Sequence, residues 1–158
     1  MTTTLPFWIV GLTLLLVHML WISWVDARQM IIPDAANLSL GVCGLFWTWM
    51  SGQSLFWLLS QMACAALLLL LLRLAYAKFR GKVGLGLGDV KFAAAATAWI
   101  GLLALPWLIF VASLSAIACL VIFQISGRTS SLETRIPFGP HLCVGLLVTW
   151  FALSYGYL

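Results

Sequence analysis

Apolar residues run through this chain in long blocks separated by short polar clusters. Four stretches carry no Asp, Glu, Lys or Arg: residues 1–25, 35–72, 92–127 and 136–158. A bilayer core of about 30 Å takes about 20 apolar residues of helix, so each stretch is long enough to cross. The two central ones are too long for one crossing. As a single helix, 35–72 would run about 57 Å at 1.5 Å per residue, more than tilt absorbs. Each also breaks near its middle, at 51–54 (Ser-Gly-Gln-Ser) and between Gly101 and Pro106. The pattern predicts six helices, at about 6–25, 36–50, 55–76, 90–104, 106–126 and 139–156. The second and fourth are short for a full crossing.

The placement of charge supports six spans over four. With six, the loops at 26–34, 73–91 and 128–135 face one side and hold all 8 Lys and Arg: Arg28, Arg73, Lys78, Arg80, Lys82, Lys91, Arg128 and Arg135. With four, the middle loop crosses over and the basic residues divide between the two sides. Basic loops mark the cytoplasmic face. The expectation is an all-α, polytopic membrane bundle of about six transmembrane helices, a single domain over 1–158, with both termini on the non-cytoplasmic side. The first span has no basic stretch before it and an apolar run longer than a signal peptide needs; it is expected to stay as a helix.

Composition narrows the function. Only 8% of residues are charged and 64% are hydrophobic, against about 25% charged in an average soluble domain. That excludes an ordinary soluble enzyme, a disordered chain and most nucleic-acid binders; the net charge of +4 reads as a topology signal. Cys43, Cys64, Cys119 and Cys143 are scattered and form no CxxC pair, so neither a zinc site nor a disulfide framework is expected. Trp47, Trp49, Trp57, Trp99, Trp107 and Trp150 fall near predicted span ends and fit an interfacial aromatic belt.

In so apolar a chain each of the 4 acidic residues needs a reason. Asp26 ends the first span, where it can serve chemistry, pair with Arg28 or cap the next helix. Asp34 follows Pro33 and is expected to cap a helix N-terminus. Asp89 opens the fourth span after glycines at 84, 86 and 88. Alternating glycines clear one face of an extended segment for another backbone, and strand pairing with a peptide is one use of such a face. The spacing is not that of a phosphate loop. Glu133 lies in the last basic loop. Two carboxylates at membrane-edge positions suit aspartyl proteolysis: one takes a proton from water and the other donates to the scissile carbonyl. Lys91 is expected to help keep one of them ionised. His18 is expected to be a neutral, hydrogen-bonded bundle residue, Arg73 to reach for the interface, and His141 to contact substrate or to start a helix.

Asp26 followed by Ile32-Pro33-Asp34, then Gly86-Leu87-Gly88-Asp89-Val90-Lys91, then Pro137-Phe138-Gly139-Pro140 resemble, in order, three motifs of the type IV prepilin peptidases. These are membrane aspartyl proteases of the GxGD group. The resemblance covers essentially the whole chain. It implies removal of basic leader peptides from prepilins or pseudopilins at the cytoplasmic face of the bacterial inner membrane. It also implies Asp26 and Asp89 as the catalytic pair, and Pro33, Asp34, Gly86, Gly88, Lys91, Pro137, Gly139 and Pro140 as motif or substrate-binding residues. Many family members also methylate the new N-terminus and carry paired CxxC motifs ahead of the first span. Those pairs are absent here, so peptidase activity without methyl transfer, and no cofactor or metal, is expected. Expected partners are the prepilin and membrane lipid. The competing reading is a proton- or cation-coupled transporter or a secretion-assembly subunit. Against transport, no acid lies mid-span or on the outer side.

Overall fold

The computed structural model describes residues 5–81, 84–126 and 137–156, so Lys82, Arg128, Glu133 and Arg135 lie outside the described residues. Among these residues six α-helices follow one another: α1 (Leu5–Gln29), α2 (Asp34–Met50), α3 (Leu55–Arg80), α4 (Leu87–Ile100), α5 (Leu105–Ile125) and α6 (Gly139–Ser154), with a 3₁₀ turn over Leu102–Ala104. The all-helical expectation holds among the described residues. Among the described residues, three apolar helical stretches are long enough to cross a membrane: Trp8–Gln29, Leu55–Arg80 and Leu102–Ile125. The other helices, of 17, 14 and 16 residues, would span about 21–26 Å at 1.5 Å per residue. They fall short of a full hydrocarbon core.

Local chemistry sets the ends. Met30 takes a left-handed φ of 56° and stops α1, with Pro33 three residues on. The αL residue Gly81 (φ 66°) closes α3, its N–H bonded to the Ala77 carbonyl at 2.9 Å. Gly101 (φ 75°) ends α4. The backbone there is secured by Gln61 on α3, whose Oε1 accepts the Leu102 N–H at 2.8 Å. That explains a polar side chain in the apolar first half of α3: it satisfies a backbone donor at a break in the bundle.

α4 is the centre. It packs on α2, α3 and α6, while α5 pairs with α6 and α1 with α6. A helix surrounded on most sides is buried on most sides, and nine of its residues are buried, four of them the alanines at 93, 95, 96 and 98. Small residues let neighbours close in. At the α5–α6 contact, a Cβ on Gly145 would stand 2.4 Å from the Leu108 carbonyl oxygen, so the backbones touch there. His18 is hydrogen-bonded within the bundle, as expected. Its Nδ1 donates to the Leu14 carbonyl at 2.7 Å, and its Nε2 meets Ser39 Oγ on α2 at 3.1 Å.

The aromatic-belt reading needs correction at two positions. Trp99 and Trp150 are 6% and 4% exposed; Trp99 Nε1 donates to the Leu40 carbonyl at 2.9 Å, and Trp150 packs on Trp8. Both are core residues. Trp49, Trp57 and Trp107 are exposed, as a belt requires.

Candidate active site

At the end of the bundle opposite the Trp8–Trp150 contact, three separate segments converge on one cavity of about 640 Å³. The end of α1 and the turn after it supply Asp26, Ile32 and Asp34. The start of α4 and its approach supply Gly86, Gly88, Asp89 and Lys91. The approach to α6 supplies Pro137 and Phe138. Asp26 and Asp89, 63 positions apart in sequence, line the same space and act on each other electrostatically.

Each carboxylate is held by a backbone N–H. α1 continues to Gln29, so Asp26 rides on a helix and not in a loop. It is 5% exposed, and its Oδ2 accepts the Gly139 N–H at 2.6 Å. A carboxylate–amide bond this short is charge-assisted. It also explains why glycine stands at 139: a Cβ there would lie 2.7 Å from Asp26 Oδ2 and 2.9 Å from its Cγ. Asp26 does not pair with Arg28, whose guanidinium lies over the Trp24 ring, 4.5 Å from its centroid. Asp89 is the third residue of α4, after the N-cap Gly86. Its carboxylate accepts the Gly86 backbone N–H, which is the acid half of a capping box.

The glycine segment differs from its expected form. Residues 84–86 are outside helices, but Gly88 is already in the first turn of α4, because Asp89 caps that turn from within. The extended stretch available for strand pairing is therefore shorter than the motif suggests. Gly88 instead brings α4 against the turn after α1; a Cβ there would meet Ile32 Cβ at 3.3 Å. Asn37 on α2 adds a bond to the Gly88 carbonyl at 3.4 Å. Arg73 on α3 donates to the Leu85 carbonyl. It holds the loop ahead of Asp89 and does not simply reach for the interface.

Two further expectations are corrected. The Asp34 side chain makes no cap bond; Pro33 is the N-cap of α2 and Asp34 its first helical residue. Lys91 turns away from the aspartate pair, and its Nζ meets Asp34 Oδ1 at 2.7 Å. A cation and an anion exposed on the rim pair with each other, so Lys91 does not stand between Asp26 and Asp89. His141 bonds Ser115 on α5 at 3.0 Å and belongs to the α5–α6 packing. Pro33, Gly139 and Pro140 do not line the cavity: the first starts α2, Gly139 grips Asp26, and Pro140 opens α6. Asn37 and the loop-holding role of Arg73 were not foreseen. A lone amide inside an apolar span was the available signal for Asn37. Among the described residues, no group of three His, Cys, Asp or Glu is placed to hold a metal ion.

The chain resembles known proteins over most of its length. The model of the type IV leader peptidase family matches residues 13–122, a range that contains Asp26 and Asp89 but stops before Pro137. A leader peptidase, HopD of Escherichia coli, is 34% identical over 99% of both chains. The prepilin leader peptidase/N-methyltransferase of Legionella pneumophila is 33% identical over 91% of this chain and 53% of its own length. Its counterpart from Pectobacterium carotovorum subsp. carotovorum is 35% identical over 85% and 48%. The chain thus spans about half the length of these double-named relatives. No solved structure matches it. The sharing of sequence with these peptidases, over a chain whose Asp26 and Asp89 line one cavity, leads to one conclusion: the chain belongs to the type IV leader peptidase family.

Proposed function

We propose that α1–α6 form one peptidase unit that removes the basic leader from prepilins or pseudopilins at the cytoplasmic face of the bacterial inner membrane, with Asp26 and Asp89 as its catalytic pair. The observation that carries the assignment is the convergence of both carboxylates on one cavity, each fixed by a glycine N–H. Two carboxylates in one site do not both ionise cheaply, so the pair holds one proton between them. The ionised member takes a proton from a water in the cavity as that water attacks the scissile carbonyl. The protonated member donates to the carbonyl oxygen. Collapse of the tetrahedral intermediate returns a proton to the departing amine. Asp34, Gly86, Gly88, Lys91 and Pro137 shape the cavity and its rim, while Pro33 and Pro140 fix the starts of α2 and α6 beside it.

The test is cleavage of a panel of prepilins in membranes containing the wild type, Asp26→Asn or Asp89→Asn, with expression of each checked. Wild type cleaves and either substitution abolishes cleavage. Cleavage that survives one substitution removes that aspartate from the mechanism. Activity should follow a bell-shaped pH profile. It falls at low pH when both carboxylates are protonated and at high pH when the shared proton is lost; a single-limbed profile would contradict the shared proton. Peptidase action without methyl transfer is the reading favoured by end-to-end alignment with a relative named as a leader peptidase alone. Methyl transfer from S-adenosylmethionine to cleaved pilin by the purified chain would refute it.

A further inference from the structure

Arg73 is a cation on an apolar helix, and among the described residues it pairs with no carboxylate; the ion pair found there joins Lys91 to Asp34. A charge so placed without a counter-ion calls for a function. Arg73 sits about two turns before the end of α3, and its guanidinium donates to the Leu85 carbonyl. That carbonyl and the Gly86 N–H belong to one peptide group, and the Gly86 N–H is the donor that holds the Asp89 carboxylate. The planar trans peptide links the two bonds rigidly, with its oxygen and its N–H pointing opposite ways. A cation at one end of this dipole and an anion at the other each strengthen the other's hydrogen bond.

Two further contacts fix the same peptide. Tyr76, three residues after Arg73 and so on the same face of α3, closes on Gly84: a Cβ there would lie 2.5 Å from the ring Cε1. The Leu85 side chain packs against the cluster of Ala65, Leu69, Val90, Ala93 and Leu105. The other titratable groups around Asp89 either face it directly or are engaged elsewhere. Asp26 of α1 acts on it across the cavity. Lys91 of α4 is paired with Asp34 of α2. On α6, His141 bonds Ser115 and Cys143 bonds Ser23.

We propose that Arg73 is a positioning residue for the peptidase reaction, which transmits its charge to Asp89 through the Leu85–Gly86 peptide and so fixes that carboxylate in the cavity. This role rests on the peptidase reading above for what Asp89 does. Arg73 does not line the cavity. It acts at one remove, favouring the ionised form of Asp89 and aiming it at the space shared with Asp26.

The test begins without substrate. The chain has three aspartates, so carbon-13 labelling of aspartate by cell-free synthesis, in a chain carrying Asp26→Asn and Asp34→Asn, leaves Asp89 as the one labelled side-chain carboxyl. Its carbon shift is followed against pH in detergent. Adding Arg73→Met should raise the Asp89 midpoint by about half a pH unit or more, because a weaker donor disfavours the charged form. Arg73→Gln, a donor without charge, should raise it too. Arg73→Lys, which keeps a cation and a donor, should recover most of the shift. Lys78→Met, which removes an exposed cation from the same helix, should leave the midpoint in place. In prepilin cleavage with all three aspartates present, Arg73→Met should lower kcat about tenfold or more with KM within about twofold, and Arg73→Lys should recover most of the loss. An unmoved Asp89 midpoint overturns the link. So does an equal rise with Lys78→Met, which would trace to the general field of the basic end. A raised midpoint with undiminished kcat overturns the positioning role. The peptidase reading fails by a separate sign: the wild type leaves the prepilin uncut while the Asp89 midpoint still moves with Arg73.

Discussion

Gly139 shows how tightly one backbone position couples to the chemistry. Its N–H binds Asp26, and the space a side chain would need is already filled by that carboxylate. Gly139→Ala should displace Asp26 or the start of α6 by a sizeable fraction of an ångström. A misplacement near 1 Å costs catalysis on the order of a hundredfold. The expected result is that loss in prepilin cleavage with helical circular dichroism unchanged; near-wild-type cleavage would show that Asp26 needs no such grip. The rim pair behaves oppositely. The Asp34 and Lys91 side chains are 75% and 51% exposed, and exposed pairs contribute at most about 1 kcal/mol. Asp34→Asn and Lys91→Met should therefore each change unfolding stability in detergent by less than about 1 kcal/mol; a larger loss would mean the pair organises the cavity. At this scale the sequence was a partial guide. The two aspartates and their glycines stood out because acids are rare in the chain. The Lys91–Asp34 pairing did not, because a lysine two positions from Asp89 is as near in sequence to the wrong partner as 57 positions are far from the right one.

Apolar length finds helices well but locates their ends by the membrane, and helices do not stop where the membrane does. The predicted first span ends at 25, yet α1 runs to Gln29 until Met30 enters the left-handed region. The predicted third ends at 76, yet α3 runs to Arg80. Its last turn holds Lys78 and Arg80, where cations suit the negative end of the helix dipole. The fourth is shifted, from 90–104 to Leu87–Ile100, because glycines at 86 and 101 bound it. These extra turns matter to function, since they put Asp26 and Asp89 on helices, where side chains are held more precisely than in loops. Contact between elements was not legible from periodicity at all. Gly145 is one glycine among 13, but it sets the spacing of α5 and α6. Gly145→Ala forces a methyl onto the Leu108 carbonyl and should destabilise the protein by about 1–3 kcal/mol, as overpacking does. Chemical unfolding in detergent would measure it, and a neutral result would mean that α6 slides freely on α5.

Across the molecule, the ends of the bundle differ in kind. Arg28, Lys78 and Arg80 lie in the last turns of α1 and α3, and Lys91 near the start of α4 on the rim of the aspartate cavity. The opposite end gathers Trp8, Trp47, Trp99 and Trp150, in stacked or tilted pairs. The turn at 51–54 and the break at Gly101 hold no Lys or Arg. Basic turns stay in the cytoplasm, so the aspartate end should face inward, where a basic leader still awaits cleavage. Orientation and chemistry then require the same arrangement, and it can be tested without any substrate. Alkaline phosphatase, active only outside the cytoplasm, is fused after Gln53, after Gly81 or after Leu158. High activity is expected at the first and last positions, with little at Gly81. If the Gly81 fusion were the active one, the aspartates would face away from the compartment that holds the leader. Four crossings would shift Gly81 to the other side relative to Arg28, so the same three fusions also distinguish six spans from four.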